Sequence, residues 1–123
     1  MFQVILPYPP SSNALTRNVP GKGRVKTQRY LSWLMAAGHD IRLVRRNENE
    51  PLAPPYNLKI ELVRPDKRKR DIGNALKAVE DLLVEHRIMH DDSLVRRIEI
   101  VERDGGFKGA RVTVRSLERA RAT

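Results

Sequence analysis

"LKIELVRPDKRKRDIGNALKAVEDLL", residues 58–83, holds a strand, a charged loop and a helix in succession, and its reading decides the fold. Leu58, Ile60 and Leu62 alternate with Lys59, Glu61 and Val63, the two-residue period of a half-buried strand. "RPDKRKR" at 64–70 ends that pattern with a proline and a run of cations. From Asp71 to Glu85 the period changes. Ile72, Ala75, Leu76, Val79, Leu82 and Leu83 fall on one stripe of a helix. Asp71 stands at its start, where an acid can cap free N–H groups and meet the positive end of the dipole.

The flanking segments extend this strand–helix unit. Phe2 to Leu6 is short, apolar and β-branched, and reads as a strand ended by "PYPPSSN" at 7–13. "RNVPGKGRVK" at 17–26 is rich in glycine and cations and has two readings: a candidate DNA-facing loop through Lys22, Arg24 and Lys26, or a plain exposed hairpin or linker. From about Thr27 to Arg46 the spacing of Tyr30, Leu31, Leu34, Met35, Ile41 and Val44 is helical. Trp33 on this helix fits either the core or a partner subunit. Prolines make 47–57 a loop. "HRIMHDD" at 86–92 is a connection. Leu94 to Val101 alternates as a strand, with Leu94, Ile98 and Ile100 on one face and Val95 and Val101 on the other. "RDGGFKG" at 103–109 reads as a hairpin turn, and Ala110, Val112 and Val114 as the returning strand. The predicted order is β-α-β-α-β-β: an α/β (α+β) fold with one mixed sheet and two helices packed on it. Residues 116–123 are polar and read as a fraying tail.

Length and composition set the functional classes. A chain of 123 residues suits one domain spanning 1–123, which buries roughly two thirds of its unfolded surface. With no cysteine it has neither disulfides nor thiolate chemistry, in keeping with a reducing cytoplasm. No apolar run is long enough to span a bilayer, and the N-terminal stretch reads as a strand rather than a signal peptide. Net charge is +9, from 24 Lys+Arg against 15 Asp+Glu. That excess favours a polyanion: nucleic acid first, an anionic membrane surface second.

Phosphodiester hydrolysis needs an anchor for the backbone, a hard cation for phosphoryl charge and carboxylates to hold the cation. Arg64, Lys67, Arg68, Lys69 and Arg70 supply the anchor. Asp71 follows them at a helix N-terminus, itself favourable for phosphate. Asn74 and Lys77 continue a polar edge beside the apolar stripe, and His90-Asp91-Asp92 offers further oxygen ligands. Each also has a plain structural reading: Asp71 as cap or compensating charge, Lys77 as a solvated lysine, Asp91-Asp92 as turn residues. On residue chemistry alone the chain is a nucleic-acid binder with the ingredients of a metal nuclease.

The ordered set "PYPPSSN", "RPDKRKRDIGNALKAVEDLL" and "HDDSLV" resembles the RusA family of Holliday junction resolvases, from about Leu6 to Val101. The resemblance implies a homodimer acting on branched DNA, with neither a membrane nor a small molecule as partner, in the cytoplasm of a bacterium or from a phage gene. It implies Mg²⁺-dependent cleavage of four-way junctions by paired nicks, with Mn²⁺ as a substitute ion. By motif, Asp71 and Asp92 match metal-binding aspartates, with Asp91 beside them, and Lys77 matches an essential lysine. Asn74 matches the motif asparagine, and Asn13 joins Lys22, Arg24, Lys26 and the basic run in the expected DNA-binding set. One departure stands out. "DIGN" carries Gly73 where the family pattern has a second aspartate. Either Asp71, Asp91 and Asp92 suffice, or Glu80, Asp81 or Asp66 contributes, or the chain grips branched DNA without cutting it.

Overall fold

A computed structural model describes residues 1–45 and 50–117. In chain order it contains β1 (Phe2–Leu6), a 3-10 turn at Ser12–Ala14, β2 (Thr16–Val19), β3 (Gly23–Lys26) and α1 (Gln28–Arg45). Then follow β4 (Tyr56–Val63), a 3-10 turn at Ile72–Ala75, α2 (Leu76–Glu85), another such turn at Asp92–Leu94, β5 (Val95–Glu102) and β6 (Gly109–Ser116). The expected mixed sheet with two helices is present, with strand order β1-β6-β4-β5. β4 and β5 run parallel because α2 carries the chain back between them, while β6 is antiparallel to both β1 and β4.

The alternation of β4 explains the layering. Tyr56, Leu58, Ile60 and Leu62 are fully buried against the helices, together with Val4 and Leu6 of β1 and Ala110, Val112 and Val114 of β6. Ala78, Val79, Leu82 and Leu83 of α2 close this core, so the predicted stripe is the packed face. Trp33 is core as well; its Nε1 donates to the Pro7 carbonyl at 2.9 Å. Met35, by contrast, is 77% exposed, so the two do not share a face.

One open reading is decided and three expectations are corrected. Of its two readings, the 17–26 segment takes the exposed hairpin: β2 and β3 pair antiparallel from Thr16↔Lys26 to Val19↔Gly23, as a two-stranded sheet apart from the main one. Gly21 and Gly23 adopt positive φ there, which makes the tight reversal possible. The last two strands are not a hairpin. β5 pairs only with β4, while β6 lies on the far side of β4, so residues 103–108 cross over the end of β4. The Asp-Gly-Gly signal marks a chain reversal but carries no information on which strand receives the chain. Leu94 is not a strand residue but ends the 3-10 turn before β5, and a register irregularity between Val95 and Arg97 puts Val95 on the face of Ile98 and Ile100, so Leu94 and Val95 both pack against the core instead of facing opposite ways. Finally, Ser116 is not a frayed residue. It ends β6, its Oγ donates to the Ala53 carbonyl at 2.5 Å, and the Leu117 N–H donates to Pro55. The rest of the predicted tail, 118–123, lies outside the described residues, as do 46–49, the end of the predicted first helix and the start of the loop after it.

The crossover is locked from both sides. Glu61, buried on the sheet face away from the helices, accepts from Arg103 Nε at 2.9 Å and from Arg111 Nε and Nη2 at 2.9 Å each. Arg111 also stands 4.7 Å from the centre of the Phe107 ring. Hydrogen bonding to Arg111, then to Arg103, outweighs burial and lowers the Glu61 carboxyl to about 2.

Candidate functional site

The four-cation run is anchored by its own acid. The Asp66 carboxylate accepts Arg70 Nη1 at 2.6 Å and Nη2 at 3.1 Å, and Asp66 Oδ1 also accepts the Arg68 N–H at 2.9 Å. Those bonds, Arg70 first, hold the Asp66 carboxyl well below the usual carboxylate range. The Arg70 guanidinium lies 5.3 Å from the centre of the Tyr8 ring. The loop is thereby pinned to the segment that follows β1. Lys67 and Lys69 make no ion pair among the described residues.

Asp71 is a cap, as its position predicts, but of a 3-10 turn rather than of an α-helix. Its Oδ1 accepts the Gly73 N–H at 3.0 Å, and its carbonyl accepts the Asn74 N–H at 3.1 Å. The side chain is exposed, and Oδ2 has no hydrogen bond among the described residues. Capping thus uses one carboxylate oxygen and leaves the other available. Asn74 is tied to the "PYPPSSN" segment, because Ser12 Oγ donates to its Oδ1 at 3.2 Å. Arg68, Lys69, Arg70, Asp71 and Asn74 line one concavity of about 280 Å³.

Three further predicted residues sit apart from that concavity. Lys77 pairs with Asp81 one helical turn on, Nζ to Oδ2 at 3.1 Å, and this pairing, reinforced by Asp92, raises its pKa. Asp92 lies close enough to α2 to act on Glu80. Burial first, and then the charges of Asp92 and Asp81, push the Glu80 carboxyl up. Asp91 caps the turn before β5 through the Ser93 N–H at 3.0 Å, which holds its carboxyl below the usual range. Of the three stand-ins for a missing carboxylate, Asp66 is engaged by Arg70 and Asp81 by Lys77, while Glu80 faces Asp92. No group of three or more His, Asp or Glu side chains among the described residues forms a ready-made metal cage.

The remaining basic residues spread outward. Lys22, Arg24 and Lys26 ride on the β2–β3 hairpin, where Arg24 bonds Thr16 Oγ1 through Nε at 3.1 Å and Nη2 at 2.7 Å. Asn13 is exposed in the turn capped by Ser11. Arg64 pairs with Glu102 at 3.4 Å, with both side chains about two fifths exposed.

The RusA endodeoxyribonuclease model matches residues 7–115, most of the chain. The chain belongs to the RusA family. The crossover junction endodeoxyribonuclease RusA of Enterobacteria phage HK97 is 29% identical over 119 residues, covering 91% of this chain and 93% of that protein. The protein of the same name from Escherichia coli strain K12 is 29% identical over 103 residues, 82% of each chain, and that of Shigella sonnei strain Ss046 is 28% identical over the same length. The Holliday junction resolvase family read from the motifs is therefore the family to which this endodeoxyribonuclease belongs. For this RusA-family chain the concavity adds residues that the motif reading left without a role. Tyr8, Pro9 and Ser11 enter from the segment after β1, and Arg29 from the first turn of α1. "PYPPSSN" marked the former as a motif; Arg29 has no signal in sequence, since nothing local brings it to Asp71.

Proposed function

We propose that this RusA-family endodeoxyribonuclease resolves four-way DNA junctions by paired, Mg²⁺-dependent nicks made by a two-fold homodimer. The observation that carries the reading is Asp71: a capped carboxylate with one oxygen open, at the rim of a concavity walled by cations. Phosphates sit naturally against Lys69, Arg68 and the 3-10 turn, and Lys67 adds charge outside it. The donor set suits a hard ion, because Asp71 and Asp92 offer carboxylate oxygens. Mg²⁺ commonly uses one or two protein carboxylates and fills its other positions with water and substrate oxygens. When bound, Mg²⁺ or Mn²⁺ supplies charge stabilisation at the phosphoryl oxygens and a more acidic water. Asp71, through its open oxygen, and Asp92, with Asp91 beside it, would be the residues to hold the ion. Lys77, charged and tethered to Asp81, favours negative charge near Asp92. A two-fold dimer presents two such sites to the two symmetry-related strands of a junction, and a bacterial or phage cytoplasm is where such junctions arise.

Asp71→Asn keeps an oxygen for the Gly73 N–H but removes the charge. It is expected to abolish Mg²⁺-dependent nicking of a synthetic four-way junction in a gel assay while junction binding stays within about threefold. Wild-type cleavage by that variant would remove Asp71 from the metal site. Gly73 favours a second reading, a junction-binding module that does not cut. That reading requires salt-sensitive junction binding by the wild-type chain with no cleavage in Mg²⁺ or Mn²⁺, and the same gel separates the two.

A further inference from the structure

We propose that the concavity beside Asp71 takes one unstacked nucleotide of the DNA substrate, with Arg29 on its phosphate and Tyr8 and Pro9 against its base. This rests on the nuclease reading above and goes beyond it, because it assigns the recognition of branched DNA to residues outside the metal and backbone motifs. Three observations carry it.

The first is size and wall chemistry. About 280 Å³ lies just below the roughly 300 Å³ lower end of ligand pockets, which suits a single nucleoside. The lining joins the Tyr8 ring and apolar Pro9 and Ala75 to cationic and polar side chains. A nucleotide carries the same two chemistries, in its base and its phosphate.

The second is an unmet cation. Arg17, Arg29, Arg42, Arg87, Arg97 and Arg115 have neither an ion pair nor a side-chain hydrogen bond among the described residues, and of these Arg29 is the one that lines the concavity. The other two arginines there, Arg68 and Arg70, are paired with Asp66. The place of Arg29 in the first turn of α1, an 18-residue helix, adds the positive end of the dipole to its own charge.

The third is preorganisation. Tyr8 is held by Arg70, and Arg70 is held bidentately by Asp66, so the aromatic wall stands without help from a ligand. Asn74 gives its Oδ1 to Ser12, which leaves its amide N–H₂ as a donor beside Asp71. Bases within a stacked duplex cannot reach such a pocket. A nucleotide at the branch point has the least stacking to lose, so entry selects junctions over duplex.

The test uses the full-length protein and synthetic junctions that are intact or carry one abasic residue on either side of the cut. Tyr8→Leu keeps an apolar side chain without the ring. It is expected to lower kcat/KM on the intact junction about tenfold, within the 5- to 150-fold range that loss of one base–aromatic stack implies. An abasic residue on one side of the cut is expected to cost wild type about the same, and to cost Tyr8→Leu almost nothing more. Arg29→Ala, an exposed position that leaves the fold intact, is expected to weaken junction binding and to reduce the slope of log affinity against log salt by about one. That slope is measured in EDTA and needs no cleavage. If the ring and abasic penalties multiply, or the Arg29→Ala slope matches wild type, the pocket holds no nucleotide. Loss of cleavage in Asp71→Asn would still stand in that case, so failure of this proposal and failure of the nuclease reading give different patterns.

Discussion

Replacing Gly73 by aspartate puts a carboxylate back at the one motif position this chain lacks. Gly73 has no positive φ, so an L-residue fits its backbone. An added Cβ would meet one atom within 4 Å, Asp71 Oδ1 at 3.3 Å, an exposed side-chain end that can yield by a few tenths of an ångström. The new acid therefore stands directly beside Asp71. In the absence of metal, two carboxylates about 4 Å apart in water repel by about 1 kcal/mol, partly offset by about 0.5 kcal/mol for removing glycine from a helical turn. Folding stability should change by less than about 1 kcal/mol. With a divalent ion about 4 Å from the new charge, the same arithmetic gives ~2 kcal/mol of attraction, or roughly 30-fold tighter binding. The assay is a Mg²⁺ titration of junction nicking, with calorimetric Mg²⁺ binding alongside. Gly73→Ala, which adds the Cβ without charge, is expected to match wild type. A half-saturating Mg²⁺ concentration within twofold of wild type in folded Gly73→Asp would show that no cation binds next to Asp71.

Three further predictions concern the frame that holds the site. Glu61 has its carboxyl lowered from an ordinary 4.5 to about 2, so its contribution to stability is complete above about pH 5 and fades as pH falls toward 2. The difference corresponds to about 3 kcal/mol, which solvent near the open sheet face reduces to about 1–2 kcal/mol; Glu61→Gln should lose that at pH 7 and show a flatter acid limb in urea unfolding, and an unchanged pH profile would count against the Arg103–Glu61–Arg111 lock. Gly109 has φ +95°, and a Cβ there would lie 2.1 Å from the Leu6 carbonyl oxygen, so Gly109→Ala should destabilise by about 2–4 kcal/mol and lower Tm by about 10 °C or more; a shift under 2 °C would contradict the close β1–β6 approach. Arg45 donates to the His86 carbonyl at 2.7 Å and to Glu50 at 2.9 Å, so Arg45→Ala should cost about 1–2 kcal/mol and speed amide exchange at Ile88 and Met89, whose N–H groups bond Leu83.

Much of the fold was legible because its signals are local. The stripe from Ile72 to Leu83 and the alternation from Leu58 to Val63 need no partner to be recognised, and their buried faces are the predicted ones. The Lys77–Asp81 pair has the same kind of local signal, four residues apart on one helix, but the reading of Lys77 as a site or solvated residue did not include it. The 17–26 hairpin was less legible, since its glycines serve a flexible loop and a tight turn alike.

The sequence by itself determined the four main strands, the two helices, the basic charge and the Asp71 motif with its family, since each is written within a few residues of chain. The tertiary structure alone decided partners. β6 could have returned beside β5, whose outer edge stays open, or across β4; it takes β4, where it also pairs with β1. Likewise, only folding brought Tyr8, Arg29 and Asp71, from three separate segments, to the same concavity. Contacts between distant residues are settled by packing and by strand edges, and neither has a period that a linear reading can detect.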